Sequence, residues 1–186
     1  MTTAAVILAA GGGRRFAGRT SKLLAPFRGR PLVSWAVDAA LGAELDETVV
    51  VTGAVDLSAV MPVDVTLLLN EGWASGVASS LRVGLDWCER QNHRAAVVGL
   101  GDQPLVSADA WRTVAASTSA PIVVATYSGR RRNPVKLDRS VWPLVPVTGD
   151  EGARAVMGRQ PALVCEVACP GDPADVDTVE DLRLWS

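Results

Sequence analysis

An apolar run at residues 4–9 opens into three consecutive glycines, Gly11, Gly12 and Gly13, and this junction limits what the chain can fold into more than any other stretch. A short run without polar residues reads as a strand buried on both faces. Glycine lets the backbone leave such a strand sharply and brings main-chain N–H groups close to a ligand. Four cations follow, Arg14, Arg15, Arg19 and Lys22. A buried strand ending in a glycine-rich basic loop has the chemistry of a polyphosphate cradle, with N–H groups facing phosphate oxygens and cations balancing the charge. A plain turn with solvated arginines is the simpler reading, but a turn needs neither three glycines nor four cations.

Two familiar phosphate loops do not match. The dinucleotide fingerprint G-x-G-x-x-G fails at its last glycine, where Phe16 stands. The P-loop pattern is nearly met by Gly13, Gly18 and Thr20, but Arg19 replaces the lysine.

Beyond the loop, short β-branched runs alternate with helical spacing. Residues 31–41 read as a helix, 48–52 as a strand, 57–61 as a brief helix and 63–69 as a strand. Residues 77–91 read as a helix, 95–100 as a strand, 108–117 as a helix, 122–127 as a strand and 162–168 as a last strand. The alternation predicts an α/β fold with a mostly parallel sheet covered on both faces. Ligands in such sheets sit beyond the carboxyl ends of the strands, so the loops at 11–22, 70–80, 101–105 and 128–133 carry the candidates.

The length of 186 residues predicts one domain, 1–186. No run of 18 apolar residues occurs, so no membrane segment is expected, and no basic stretch precedes the first apolar run as a secretory signal would require. A net charge of −2 gives no reason to expect nucleic acid. The basic residues gather instead at 14–22 and 130–132, as a small anionic ligand would need. Cys88, Cys165 and Cys169 make neither a disulfide framework nor, with His93 as the sole histidine, a zinc site. All three are expected as buried reduced thiols, which places the protein in the cytoplasm.

Several loops carry further candidates. The segment at 70–81 leads straight into a helix, and in it Gly76, Ser79 and Ser80 are candidates: the serines either cap that helix or hydrogen-bond a base edge. Asp102 follows the strand at 95–100 and stands before a proline turn. A carboxylate there either holds a metal in the crevice or merely shapes the turn before an N-cap at Ser107. The arginines of 130–132 and Asn133 read as a solvated loop or as recognition of a phosphorylated acceptor. Asp150 either starts a helix or positions acceptor or cation. Asp175 and Asp177 share one face if extended, and Thr178 or Asp177 could cap the closing helix.

Leu8-Ala9-Ala10-Gly11, Arg15, Ser21-Lys22-Leu23-Leu24, Pro26, Gly29 and Pro31-Leu32 together resemble the signature of nucleotidyltransferases. The resemblance is strongest to the molybdenum cofactor cytidylyltransferases and their guanylyltransferase cousins. It continues through residues 70–81, through Gly101-Asp102-Gln103-Pro104-Leu105, through 149–154 and through 175–182. The departures are Arg132 where glycine is usual, Asn133 where histidine is usual and Val179 where proline is usual. The resemblance implies a three-layer α/β/α Rossmann-like domain. It implies that Ala9, Ala10, Gly11, Gly12, Gly13, Arg15 and Lys22 hold the nucleoside triphosphate, with Gly76, Ser79 and Ser80 at the base. It assigns Mg2+ to Asp102 and Asp177, catalysis to Arg15, Lys22 and Asp102, and the acceptor to Arg132, Asn133 and Asp150.

The implied reaction is attack by an acceptor phosphate on the α-phosphorus of a nucleoside triphosphate, releasing pyrophosphate. CTP is favoured because the alanine at position 10 is closer to the cytidylyl branch, and molybdenum-bound molybdopterin is the favoured acceptor. GTP, a sugar phosphate, a P-loop kinase and a non-catalytic accessory protein serving a molybdenum enzyme are the alternatives.

Overall fold

The computed structural model describes residues 2–13, 16 and 21–185, with Trp185 described by its backbone alone. The strands and α-helices follow the order β1 (Thr3–Ala9), β2 (Pro26–Phe27), β3 (Arg30–Pro31), α1 (Leu32–Leu41), β4 (Glu47–Thr52), β5 (Val65–Leu69) and α2 (Val77–Arg90). They continue with β6 (Ala95–Leu100), α3 (Ala108–Ala116), β7 (Ile122–Tyr127), β8 (Arg130–Asp138), α4 (Ala153–Arg159), β9 (Val164–Ala168) and α5 (Val179–Trp185). One seven-stranded sheet has the order β5-β4-β1-β6-β8-β7-β9, and β2 with β3 forms a separate two-stranded hairpin.

The sheet is mostly parallel, and β8 alone runs against its neighbours β6 and β7. Side chains alternate across β1, which sorts them into two core layers. Ala4, Val6 and Leu8 pack with Leu81, Leu85 and Cys88 of α2 and with Val156 and Met157 of α4. Ala5, Ile7 and Ala9 pack with Val33, Val37 and Ala40 of α1 and with Ala110, Trp111 and Val114 of α3. Three layers result, helices on both faces of one sheet. The chain first builds outward from β1 through β4 to β5, then returns to place β6 on the other side of β1. A crevice opens at the carboxyl ends of strands where the order reverses in this way. The Gly101 N–H donates to the Leu8 carbonyl at 3.0 Å and joins the two strand ends there.

The sequence expectations differ from this picture in several places, among them the last strand, expected from 162, which starts at Val164 after a 3-10 turn at Pro161–Leu163. The segment 128–133, expected as a loop, is largely strand, because Ser128 and Gly129 make a two-residue turn with positive φ at both and return the chain as β8. The expected helix at 57–61 is a 3-10 turn, Ser58–Val60. The strand expected from 63 starts at Val65, and Val63 is 98% exposed. Cys88 is buried, whereas Cys165 and Cys169 are only partly so; all three are free thiols.

At the opposite end of the sheet from the crevice, Glu47 accepts from Trp87 Nε1 and Thr66 Oγ1, both at 2.9 Å, and His93 Nε2 lies 2.8 Å from its other oxygen. Burial alone would raise this carboxyl, but the hydrogen bonds from His93, Trp87 and Thr66 outweigh it and hold Glu47 below its ordinary 4.5. A folded-state value below the unfolded one stabilises the fold above the unfolded value, and the gain is lost as pH falls through the folded value. The urea midpoint of the wild type is therefore expected to exceed that of Glu47→Gln at about pH 7, with the gap closing below about pH 4. A gap that is constant across that range would contradict it.

Candidate active site

Lys22 begins a 3-10 turn, Lys22–Leu24, that Leu23 anchors in the core layer under α1. Its ammonium donates to Asp102 Oδ2 at 2.6 Å and to Asp177 Oδ1 at 3.2 Å. Asp102 follows β6, and Asp177 arrives from the far end of the sequence. The Val176 N–H fixes that approach by donating to the Asp102 carbonyl at 3.0 Å. A hydrogen-bonded box then starts α5: the Asp181 carboxylate accepts from the Asp177 and Thr178 N–H groups, and Thr178 Oγ1 accepts from the Asp181 N–H.

Gln103 locks this assembly from beneath. Its side chain is 2% exposed; Nε2 donates to the Pro173 carbonyl at 3.0 Å and to Asp175 Oδ1 at 2.7 Å, while Oε1 accepts from Asn133 Nδ2 at 3.3 Å. Burial, and after it the charge of Asp102, push the Asp175 carboxyl above the usual range.

A cavity of about 460 Å³ opens beside Asp102 and is lined by Ala10, Gly11, Gly12, Trp73, Gly76, Ser80 and Asp150. Its glycine wall is bare: a Cβ on Gly11 would meet nothing within 4 Å, and one on Gly12 would lie 3.3 Å from the Trp73 ring. Asn70, buried, donates through Nδ2 to Ser79 Oγ and Ser80 Oγ at 2.9 Å each and accepts the Gly72 N–H at 2.9 Å. The serines are thus held by Asn70, and α2 starts at Gly76 without a side-chain cap. Asn70→Ala removes the donor to a buried hydroxyl and is expected to lower stability by about 1–3 kcal/mol, read from urea unfolding; an unchanged midpoint would contradict this.

A second cavity, about 480 Å³, adjoins the first, and both share Leu8, Val77, Leu100 and Asp150. Arg131, Arg132, Asn133, Asp150, Glu151 and Arg154 contribute its polar groups. Arg131 is paired with Glu166 at 2.7 Å. Asp150, in the loop before α4, lines both cavities, and this loop is clipped to the start of α2 by Gly149 N–H to the Ser75 carbonyl and Ala78 N–H to the Gly149 carbonyl, both 2.9 Å. Gly76 sits inside that clip at φ 109°, and a Cβ there would overlap the Gly149 carbonyl oxygen and come 2.7 Å from Asp150 Oδ1. Helix α4 starts at Gly152 without a side-chain cap, so Asp150 does not serve as one, whereas Ser107 does cap α3 through the Ala110 N–H.

The structure therefore brings together Ala10, Gly11, Gly12, Gly76, Ser80, Asp102 and Asp150 around one cavity, with Lys22 and Asp177 bonded to its edge. Arg132 and Asn133 line the other. Ala9, Gly13 and Ser79 do not line either one; Ala9 is buried beneath, and the Ser79 hydroxyl donates to the Gly76 carbonyl. Arg15 lies outside the described residues, as do Arg14 and Arg19. Asn70, Trp73 and Asp175 fall in the segments 70–81 and 175–182 that the sequence marks, but none is singled out there as a site residue; the fold shows that Asn70 orients the serines, Trp73 lines the cavity and Asp175 bonds Gln103.

The MobA-like NTP transferase domain matches residues 5–164. The chain belongs to this family. It is 34% identical to nicotine blue oxidoreductase of Paenarthrobacter nicotinovorans, across 95% of this chain and 93% of that one. It is 28% identical to purine catabolism protein PucB of Bacillus subtilis, across 96% and 93%. Rv0371c of Mycobacterium tuberculosis, solved in complex with manganese, superposes with a TM-score of 0.83 at 27% identity, covering 100% of this chain and 98% of that one. Among the described residues no helix is long and apolar enough to cross a membrane.

Proposed function

We propose that this chain transfers a nucleotidyl group from a nucleoside triphosphate, CTP in the first instance, to a phosphorylated acceptor, molybdenum-bound molybdopterin in the first instance, and releases pyrophosphate. The observation that carries the reading is the Lys22 ammonium held between Asp102 and Asp177 at the edge of the glycine-walled cavity.

Two carboxylates that already take a cation between them fit a divalent ion. Among the described residues no cluster of three or more His, Cys, Asp or Glu forms a metal site by itself. An oxygen pair that leaves further ligands to phosphate and water suits Mg2+, and the manganese in Rv0371c is in keeping with it. Asp102 and Asp177 would hold the ion, which supplies charge stabilisation to the phosphates.

The rest is work for the chain's own groups. The N–H groups of Gly11 and Gly12 face the triphosphate without side chains in the way. Lys22, released from its carboxylates, pairs with phosphate oxygens, and Arg15 adds a second cation. Ser80, oriented by Asn70, meets the base. Asn133 and Arg132 hold the acceptor. A phosphate monoester is already anionic, so no protein nucleophile is required, and catalysis is positioning and charge stabilisation.

The experiment supplies magnesium, each nucleoside triphosphate in turn and molybdenum-loaded molybdopterin, and measures pyrophosphate. Release with CTP alone supports the cytidylyl reading, and release with GTP alone moves the protein to the guanylyl branch. A second reading, an oxidoreductase, is favoured by the name of the Paenarthrobacter relative. Transfer of electrons from a supplied donor to a supplied acceptor, without pyrophosphate release, would favour it.

A further inference from the structure

Asp177 reaches the site on an irregular stretch, 169–178, between β9 and α5. A stretch with no ladder or helix of its own takes its position from the groups that satisfy its backbone. Here the loop after β6 supplies them. Val106 bridges Gly171, Ser107 Oγ lies 3.4 Å from the Pro170 carbonyl, and the Asp102 carbonyl takes the Val176 N–H at 3.0 Å. Between these contacts stands the buried Gln103 amide, on the Pro173 carbonyl at 3.0 Å and on Asp175 Oδ1 at 2.7 Å.

That amide has one workable orientation. Pro173 and Asp175 both offer oxygen, so only the NH2 end can face them; turned over, the amide would set oxygen against oxygen twice. Its own oxygen is left for Asn133 Nδ2, where it is found. Both ends are therefore used, and the side chain is held in place. Gln103 follows Asp102 directly, and Asp175 stands two residues before Asp177. One hydrogen bond thus ties the neighbours of the two carboxylates that flank Lys22.

We infer that Gln103 is a positioning residue: through Asp175 it sets the separation of the Asp102 and Asp177 carboxylates, and with it the affinity for a divalent ion. The inference rests on the assignment of these two carboxylates to the ion in the nucleotidyl-transfer reading above and adds the group that spaces them.

The test reads metal binding, kept apart from turnover. Calorimetry titrates manganese alone into the full chain, well below the thermal midpoint of each variant. Gln103→Leu keeps much of the side-chain volume and loses the amide. It is expected to bind manganese about 10–100-fold more weakly, the range in which partners of metal ligands act. Asp175→Leu breaks the same bond from the other side and is expected to lose as much. Asp175→Asn keeps an oxygen that accepts from the amide and is expected to stay near the wild-type affinity. Combining Gln103→Leu with Asp175→Leu should cost little more than either alone, because both remove one bond.

Equal manganese affinity in the wild type and Gln103→Leu would overturn the inference. So would an Asp175→Asn variant as weak as Asp175→Leu, since the charge of Asp175 and not its bond to Gln103 would then act. Fully additive losses in the double variant would overturn it as well. Should Gln103→Leu fail to fold, the two Asp175 variants decide. Pyrophosphate release is scored separately. The expected manganese series in a chain that releases no pyrophosphate would keep the positioning role and remove the transferase reading. Pyrophosphate release with manganese affinity indifferent to Gln103 would do the reverse.

Discussion

Asp102→Ala is expected to lower the rate of pyrophosphate release by roughly 10²–10³-fold, the scale on which removal of one preorganised charge-stabilising group acts. The fold should survive, because the backbone carbonyl of Asp102 still accepts the Val176 N–H and the Lys22 ammonium keeps Asp177. Circular dichroism and a thermal midpoint near that of the wild type would establish this. The variant should also lose affinity for manganese, measured directly by calorimetry. A folded variant with undiminished pyrophosphate release would remove Asp102 from the chemistry.

Gly76→Ala is expected to be the most damaging single change outside the charged groups. Its φ of 109° with ψ of 171° belongs to a region that only glycine occupies readily, at a cost of about 1–3 kcal/mol for other residues. The added Cβ would also collide with backbone at Gly149, which cannot swing aside as a side chain can. Together these predict a thermal midpoint lower by roughly 5–10 °C, along with nucleotide affinity weakened by about an order of magnitude. Gly129→Ala is the control. Its φ of 74° is strained too, but a Cβ there meets nothing within 4 Å, so it should cost less and leave nucleotide binding alone. Equal damage from both would mean that backbone strain, and not the clip to the loop before α4, sets the effect.

Much of this arrangement is legible in the chain. β1 and β6 announce themselves as uninterrupted apolar runs because both faces of each are covered, and Asp102 stands out as a carboxylate stranded at the end of one. The strand β8 does not, since its first three residues are arginines, and what makes them a strand is pairing with β7 across the Ser128-Gly129 turn. That dipeptide was the available signal, as Ser-Gly marks a turn. The register shift between Val124 and Ala125, with Val124 opposite Val135 and Ala125 opposite Arg132, leaves Asn133 and Pro134 outside the ladder. Asn133 is then within reach of Gln103, a contact across 30 positions that no local pattern encodes. The part-exposure of Cys165 follows similarly from the place of β9 at the edge of the sheet, where a strand-like segment need not be buried.

The short loop at 149–150 has a consequence for anyone who reads kinetics from this protein. Asp150, within it, lines both the cavity proposed for the nucleotide and its neighbour. It works as a party wall. Moving it shifts two rooms at once, so substitutions at Gly76, Gly149 or Asp150 should change the Michaelis constants of both substrates together, and none can be charged to one substrate alone.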